Sequence, residues 1–418
     1  MVNTHYSILI IGGGAAGITT ANTLRRMDSK LDIAIVEPSD KHYYQPAFTL
    51  VGGGVYKLKN AMKQERDLIP TSITWIQEYA DTFEPENNQV TLKNGHVISY
   101  DYLVVCPGIQ LDFDKIDGLL ETLGKNGVCS NYSPEHVEYT WETVQKLKHG
   151  KALFTQPPMP IKCAGAPQKA MYLAADRFRQ YGISDKIDVE FFNAGPGMFG
   201  VPFFAKALMK VIKKYDIKTN FNHNLVAING ENKIATFEID GPDGTKQRIN
   251  EHFDMIHVCP PQSAPDFIKN SPLSNDAGWV EVNHFNLQHV TYSNVFGLGD
   301  VTSTPNAKTA AAVRKQAPVV ANNILNLINK QDIIDGYNGY GSCPLTTSLN
   351  QAMLAEFSYG GKVTPSFPLL DPRTNRRIWW FVKTTGLPWL YWKFMLKGYQ
   401  FDLPHRESYA KKITQKED

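Results

Sequence analysis

The chain has 418 residues, 42% of them hydrophobic, with 43 Lys+Arg against 41 Asp+Glu and a net charge of +2. That length and apolar content suffice for two or three packed domains, and the near-neutral balance excludes the basic footprint of a nucleic-acid-binding protein. No apolar run reaches the roughly 20 residues of a spanning helix, and the five cysteines lack CxxC or Cys/His spacing, which excludes a zinc site and a secreted disulfide framework.

In chain order, the predicted elements begin with an apolar strand over 7–11, the turn Gly12-Gly13-Gly14-Ala15-Ala16-Gly17, a helix through Arg26, and a strand over 32–37 closed by Glu37. Gly12 permits the tight turn, Gly14 lets backbone approach a pyrophosphate ahead of Ala15, and Gly17 allows helix to pack on strand. The helix N-terminus offers unpaired N–H groups to phosphate. Glu37, about twenty residues beyond Gly17, suits a ribose hydroxyl. A dinucleotide is expected, with flavin or nicotinamide open at this point. An apolar strand then leads to Cys106-Pro107-Gly108, where Cys106 reads as a small buried hydrophobe.

Cys163 follows a Pro-rich approach (Pro157, Pro158, Pro160) and precedes a helical stretch over 168–180. A thiol near a helix N-terminus, with Lys162 and Lys169 close in sequence, has its thiolate favoured. A strand over 188–192 leads into a second glycine pattern, Gly195-Pro196-Gly197-Met198-Phe199-Gly200. The next strand, over 217–222, ends without an acid, and the following helix opens Val201-Pro202, so a vestigial nicotinamide site is favoured over a working one. Reducing equivalents then enter from a donor other than NADH. Cys259 closes an apolar strand over 255–259 and reads as core. A strand over 295–300 ends in Gly299-Asp300, with a helix expected from Ala307. Cys343 sits in Gly341-Ser342-Cys343-Pro344, which reads as an accessible loop.

From Arg376 the composition changes. Four of the seven Trp lie in Trp379-Trp380-Phe381 and Trp389-Leu390-Tyr391-Trp392-Lys393-Phe394, mixed with Lys and Arg. That is the make-up of segments lying among lipid headgroups. Two short amphipathic pieces joined by Gly386-Leu387-Pro388 are expected to form a shallow membrane-docking hairpin. The tail beyond Pro404 reads as a solvated end.

The Gly299-Asp300 strand end resembles that of two-dinucleotide-binding flavoproteins. The resemblance implies FAD, with Asp300 on the ribityl chain and the following helix N-terminus near the flavin pyrimidine edge. Further blocks resemble the sulfide:quinone oxidoreductase family, in the branch shared by mitochondria and some bacteria. They are Tyr43-Tyr44-Gln45-Pro46, Gly108-Ile109-Gln110-Leu111-Asp112, Lys162-Cys163-Ala164-Gly165-Ala166-Pro167-Gln168-Lys169, Lys308-Thr309-Ala310-Ala311-Ala312 and Ser342-Cys343-Pro344-Leu345. Cys106-Pro107-Gly108 departs from the Ala-Thr-Gly more common in flavoproteins of this kind.

The resemblance implies an α/β fold of two Rossmann-like domains, the second degenerate, and a C-terminal docking region. The expected divisions are 1–115 and 281–335 for the FAD domain, 116–280 for the NAD-like domain and 336–418 for the C-terminal region. Pro46, Gly108, Asp300, Lys308 and Thr309 join Gly12, Gly14, Ala15, Gly17 and Glu37 as cofactor-binding candidates. Cys163 and Cys343, 180 residues apart, are the redox pair: hydrosulfide opens their bridge, Cys343 carries the sulfane sulfur, Cys163 attacks flavin C4a, and ubiquinone or menaquinone takes the electrons. A small acceptor clears the sulfur. Cys129, near the position of a third cysteine in another branch, is a candidate redox or polysulfide-holding thiol.

The rivals carried beside this reading are a single-subunit NADH:quinone oxidoreductase and an FAD-binding sensor or assembly module. With few residues ahead of the first strand, a bacterial inner-membrane peripheral protein is expected, or a mitochondrial one if a presequence was removed. No metal is expected, and the oligomeric state is open, a homo-oligomer included.

Overall fold

A computed structural model of the protein describes residues 4–401 apart from 242 and 368. The expected solvated tail beyond Pro404 therefore lies outside the described residues.

The strand His5–Ile11 lies between two parallel neighbours, Ile33–Val36 and Val97–Val105. A strand covered on both faces needs no polar alternation, so Ile8, Leu9, Ile10 and Ile11 are all buried. Thr74–Ile76 extends one edge of this sheet. Beyond Val97–Val105, the antiparallel strand Gln89–Leu92 takes the N-terminal half, and Val295–Gly297, arriving from far along the chain, pairs parallel with the C-terminal half. The helix Ala15–Met27 packs on this sheet beside Ala310–Ile328. Ala264, Ile268, Leu273 and Val280 share its core, so the chain rejoins the first unit ahead of residue 281.

The second unit is a five-stranded parallel sheet in the order Val128–Cys129, Met255–His257, Gly150–Gln156, Ile187–Asn193, Lys218–Phe221. An antiparallel layer of Asn224–Asn229, Ile234–Asp240 and Lys246–His252 lies against it. The helix Ala166–Gln180 starts two residues ahead of its expected position, because Pro167 is tolerated in a first helical turn. The helix after Asp300 starts at Ala310 rather than Ala307, because Thr309 caps it by accepting a hydrogen bond from Ala312 N.

Two C-terminal features differ from expectation. The accessible loop around Cys343 is instead a strand, Gly341–Ser348, paired with Gln351–Phe357, with Cys343 opposite Ala355. Leu345, Met353 and Ala355 bury themselves in the second core and draw the Gly/Ser/Pro segment into the hairpin, leaving Cys343 only 2% exposed. Nor does Gly386-Leu387-Pro388 break the aromatic segment. Arg377–Phe381 continues through a π-helical turn, Val382–Gly386, into Leu387–Lys393, and Gly386 is itself helical. Pro388 occupies the first turn of the last piece, where a missing N–H costs little. Gly398, beyond this segment, has a positive φ and lies so close to the first helix that a Cβ on it would fall 2.4 Å from Asn22 C and 2.5 Å from Thr23 N.

This packing divides the aromatics. Trp379, Tyr391 and Trp392 are buried, contrary to the expected outward face, because they pack on strand 351–357 and the first core. Trp380 and Phe394 are half-buried. Phe381 and Trp389 stand outward at 58% and 55% exposure, with Ile378.

Candidate active site

The two units meet where the chain carries Cys163. This residue has a left-handed backbone, φ +53, a conformation that non-glycine residues hold only under constraint. The constraint is visible: Cys163 N donates to Lys308 O at 2.9 Å and Ala166 N donates to Cys163 O at 2.7 Å, which pins the turn before Ala166–Gln180. The turn directs Cys163 Sγ to Cys343 Sγ, 3.5 Å away. Gly165 is needed here, since a Cβ on it would fall 2.7 Å from Cys343 Sγ.

Lys169 serves both sulfurs. It is 2% exposed, and its Nζ donates to Cys163 Sγ at 3.0 Å and to Cys343 Sγ at 3.6 Å. Lys162, which sequence proximity paired with the thiol, reaches Gln45 Oε1 instead, at 2.8 Å. The hydrogen bond from Cys343 and then the Lys169 ammonium hold the Cys163 thiol well below its ordinary value, against burial. Cys343 moves the opposite way, raised by that hydrogen bond and by burial. The Lys169 ammonium, nearer to Cys163 Sγ than to Cys343 Sγ, favours the thiolate on Cys163. Burial disfavours the Lys169 charge, but the two sulfurs outweigh it and its pKa is raised.

A second cation escaped sequence reasoning. Lys383 lies in the π-helical turn, buried at 2% exposure, and donates to Pro46 O at 2.7 Å. Burial, then repulsion from Lys169, lowers its pKa to about 7 despite the nearby sulfurs. Set among tryptophans, it read as a headgroup lysine; a π-turn at a functional position is the structural signal.

A cavity of about 730 Å³ adjoins the pair. Gly14, Ala15, Glu37, Pro46, Gly108, Asp300, Lys308 and Thr309 line it, together with Cys163, Lys169, Lys383 and Tyr391. Gly12 and Gly17 shape the turn behind it: a Cβ on Gly17 would fall 1.8 Å from Gly12 O. Glu37 accepts from Gly13 N at 2.7 Å and Ser39 N at 2.8 Å, while burial raises its pKa. Lys308 donates to Thr302 O at 2.9 Å and is lowered to about 8 by burial, against the pull of Asp300.

Several residues lining the cavity carry buried polar atoms without a hydrogen-bond partner: Thr49 Oγ1, Glu65 Oε1 and both amide atoms of Asn131. An apolar ligand would leave these atoms unsatisfied, whereas a long, polar dinucleotide suits them. The expected cofactor residues thus surround one space.

Cys129 does not join the pair through any described hydrogen bond. Its buried thiol donates to Ile256 O at 3.4 Å and is pushed up to about 12 by burial, opposite to what a nucleophile needs. Cys106 and Cys259 are likewise buried and raised. Trp379, Trp380, Phe381, Trp389, Trp392 and Phe394 lie off the cavity wall. In the second glycine turn, Phe199 packs edge-on against Phe204 and Phe357.

Two dinucleotide-type sheets with a thiol pair at their junction define a disulfide-type oxidoreductase, and residues 6–317 match the family described as Pyridine nucleotide-disulphide oxidoreductase. The chain is 46% identical over 397 residues to a protein of Dictyostelium discoideum named sulfide:quinone oxidoreductase, mitochondrial, covering 94% of this chain and 86% of that one. It is 42% identical to the Mus musculus protein of the same name, covering 94% and 87%. The crystal structure of the Aquifex aeolicus sulfide:quinone oxidoreductase shares the fold, with a TM-score of 0.77 at 23% identity, covering 99% of this chain and 95% of that one. The chain belongs to the sulfide:quinone oxidoreductase family, a group of flavin-dependent oxidoreductases. Both relatives are named as mitochondrial, where the sequence reading favoured a bacterial membrane. Among the described residues no helix is long and apolar enough to cross a membrane.

Proposed function

We propose that the protein oxidises hydrogen sulfide through the Cys163–Cys343 pair, with FAD in the large cavity, and delivers two electrons to a membrane quinone. The observation that carries this is the 3.5 Å approach of the two sulfurs beside Lys169 and the cavity.

In the oxidised pair, hydrosulfide attacks Cys343 Sγ, the S–S bond breaks, and Cys163 leaves as a thiolate. The better-stabilised thiolate is the better leaving group, and the Lys169 ammonium lies closer to Cys163 Sγ, at 3.0 Å, than to Cys343 Sγ, at 3.6 Å. Sulfide sulfur is thereby oxidised to the sulfane level on Cys343, while the bridge takes up the electron pair. A small thiophilic acceptor removes the sulfane sulfur, and the dithiol recloses by releasing two electrons and its protons. FAD, when bound, supplies the two-electron acceptor between the dithiol and the quinone. Gly14, Glu37 and the first helix N-terminus would hold its adenosine diphosphate part, and Gly108, Asp300, Lys308 and Thr309 its flavin part. Buried Cys343 keeps the persulfide from bulk water. The missing acid after 217–222 and the Val201-Pro202 start of the helix after the second glycine turn disfavour NADH as donor.

Quinone stays in lipid, so the enzyme must meet it at a membrane. Exposed Ile378, Phe381 and Trp389 supply a peripheral docking face, and Tyr391 and Lys383 of the same helical segment reach the cavity wall.

Anaerobic mixing with sulfide should bleach the flavin absorbance of the purified protein, and NADH should not. Cys163→Ser and Cys343→Ser should each keep the flavin and lose the bleaching. Full sulfide-driven bleaching in both variants rules the scheme out.

A further inference from the structure

Glu65 follows the short strand Met62–Gln64 and is 1% exposed. Among the described residues its one ion-pair partner is His42, whose Nδ1 lies 3.2 Å from Glu65 Oε2. His42 Nε2 in turn meets Tyr391 OH at 2.6 Å. With Nδ1–H donating to the carboxylate, Nε2 accepts from the tyrosine hydroxyl, and one tautomer satisfies the line. All three residues are at least nine-tenths buried.

The other carboxylate oxygen, Glu65 Oε1, is buried without a hydrogen-bond partner, on a residue that lines the cavity. It faces the glycine turn, since a Cβ on Gly13 would fall 2.7 Å from Glu65 Oε1 and 2.6 Å from Glu37 Cγ. Two carboxylates therefore converge on the turn that begins the nucleotide fold. A buried carboxylate oxygen without a donor is costly, and a bound diol is a donor of suitable kind.

Tyr391 belongs to Leu387–Lys393, the segment that carries the outward Trp389. Its ring lies 4.7 Å from Tyr44, Trp392 meets His42 edge-on at 5.8 Å, and Asn22 Nδ2 donates to Leu396 O at 2.7 Å. The C-terminal helix is thus seated directly on the nucleotide unit, and the Glu65–His42–Tyr391 line runs from that seat to the cavity.

We infer that Glu65 is a second carboxylate holding the ribose of the dinucleotide, and that its link through His42 to Tyr391 couples cofactor loading to seating of the C-terminal docking helix. The inference rests on the FAD reading above. Loading satisfies Oε1 and fixes the carboxylate. The fixed carboxylate holds the His42 tautomer that accepts from Tyr391, and the helix stays down. The docking face is then presented in its native arrangement only by loaded protein.

The test is flavin release from the holoenzyme on dilution, read by recovery of flavin fluorescence, with trypsin cleavage at Lys393 and Lys397 as a second readout. Glu65→Gln should release FAD about tenfold faster or more, the worth of one charge-assisted hydrogen bond. Tyr391→Phe, which keeps the ring packing, should release it several-fold faster. Stripping FAD from the native chain should speed cleavage in the 387–397 segment, and loaded Tyr391→Phe should cleave faster than loaded native protein. Unchanged release in both variants, or cleavage indifferent to FAD, overturns the inference. If Glu65→Gln does not fold, Tyr391→Phe carries the test on both readouts. Chromatography of the nucleotide released from native protein separates the two failures: a nucleotide other than FAD removes the cofactor reading itself, whereas FAD with unchanged release removes only the Glu65 line.

Discussion

Replacing Lys169 with Met keeps the side chain's length and removes its charge from between two sulfurs at 3.0 and 3.6 Å. Bare Coulomb attraction at 3 Å, with an effective dielectric near 20, bounds the loss at about 5.5 kcal/mol. A charge-assisted hydrogen bond nets about 1.5–3 kcal/mol after desolvation, which corresponds to about one to two pKa units on Cys163. The sign is upward: Lys169 favours the thiolate, so its removal raises the pKa and reduces the thiolate fraction at neutral pH. Lys383 offsets part of this. Burial and repulsion from Lys169 lower it to about 7, and without Lys169 it regains charge beside the same sulfurs. The single variant should therefore shift by about one unit and Lys169→Met/Lys383→Met by about two. The assay is the pH profile of iodoacetamide labelling at Cys163 in reduced protein, quantified by mass spectrometry. An unmoved midpoint in the double variant would refute the claim that these ammonium groups hold the thiolate.

Trp379→Ala should cost about 3–5 kcal/mol as a large core truncation, read from the urea midpoint, whereas Trp389→Ala should leave that midpoint in place and weaken co-sedimentation with phospholipid vesicles. Equal stability losses would contradict their different burial. His257 is buried and lowered to about 4. The unfolded chain therefore binds a proton that the folded chain refuses, and stability falls as pH drops from about 6.5 to about 4, by up to about 3 kcal/mol. His257→Gln should flatten that part of the urea-midpoint profile, and an unchanged slope would count against the assignment. Cys129→Ala should retain sulfide-driven flavin bleaching at close to the native rate; loss of bleaching in a folded, flavin-loaded variant would place Cys129 in the relay.

The nucleotide end was legible from local sequence because its physics is local. Residues 7–37 read as strand, turn, helix, strand because His5–Ile11 is apolar on both faces and Gly12 and Gly17 can accept no side chain. The Lys162–Lys169 and Ser342–Leu345 blocks singled out from motif alone two cysteines whose sulfurs stand 3.5 Å apart in the fold. The accessible loop at Cys343 did not survive, because the pull of Leu345, Met353 and Ala355 into the second core is a long-range effect that a Gly/Ser/Pro composition does not register. For the aromatic segment the expected break at Gly386-Leu387-Pro388 and the outward face of every tryptophan were not found. Periodicity cannot say which tryptophans will meet the rest of the protein, and packing claimed Trp379 and Trp392 while leaving Trp389 outside.

By itself the sequence determined the strand, glycine turn, helix and strand of residues 7–37, the lack of an acid behind the second glycine turn, and the two blocks that carry Cys163 and Cys343. Only the tertiary structure decided that those thiols stand 3.5 Å apart, that Lys169 rather than Lys162 holds their charge, and that Glu65, His42 and Tyr391 form one buried line. The physical reason is range. Turns, helix ends and apolar strands follow from neighbours a few residues away, whereas a contact between residues 163 and 343, or between 42 and 391, exists only after two sheets and a C-terminal helix have packed together.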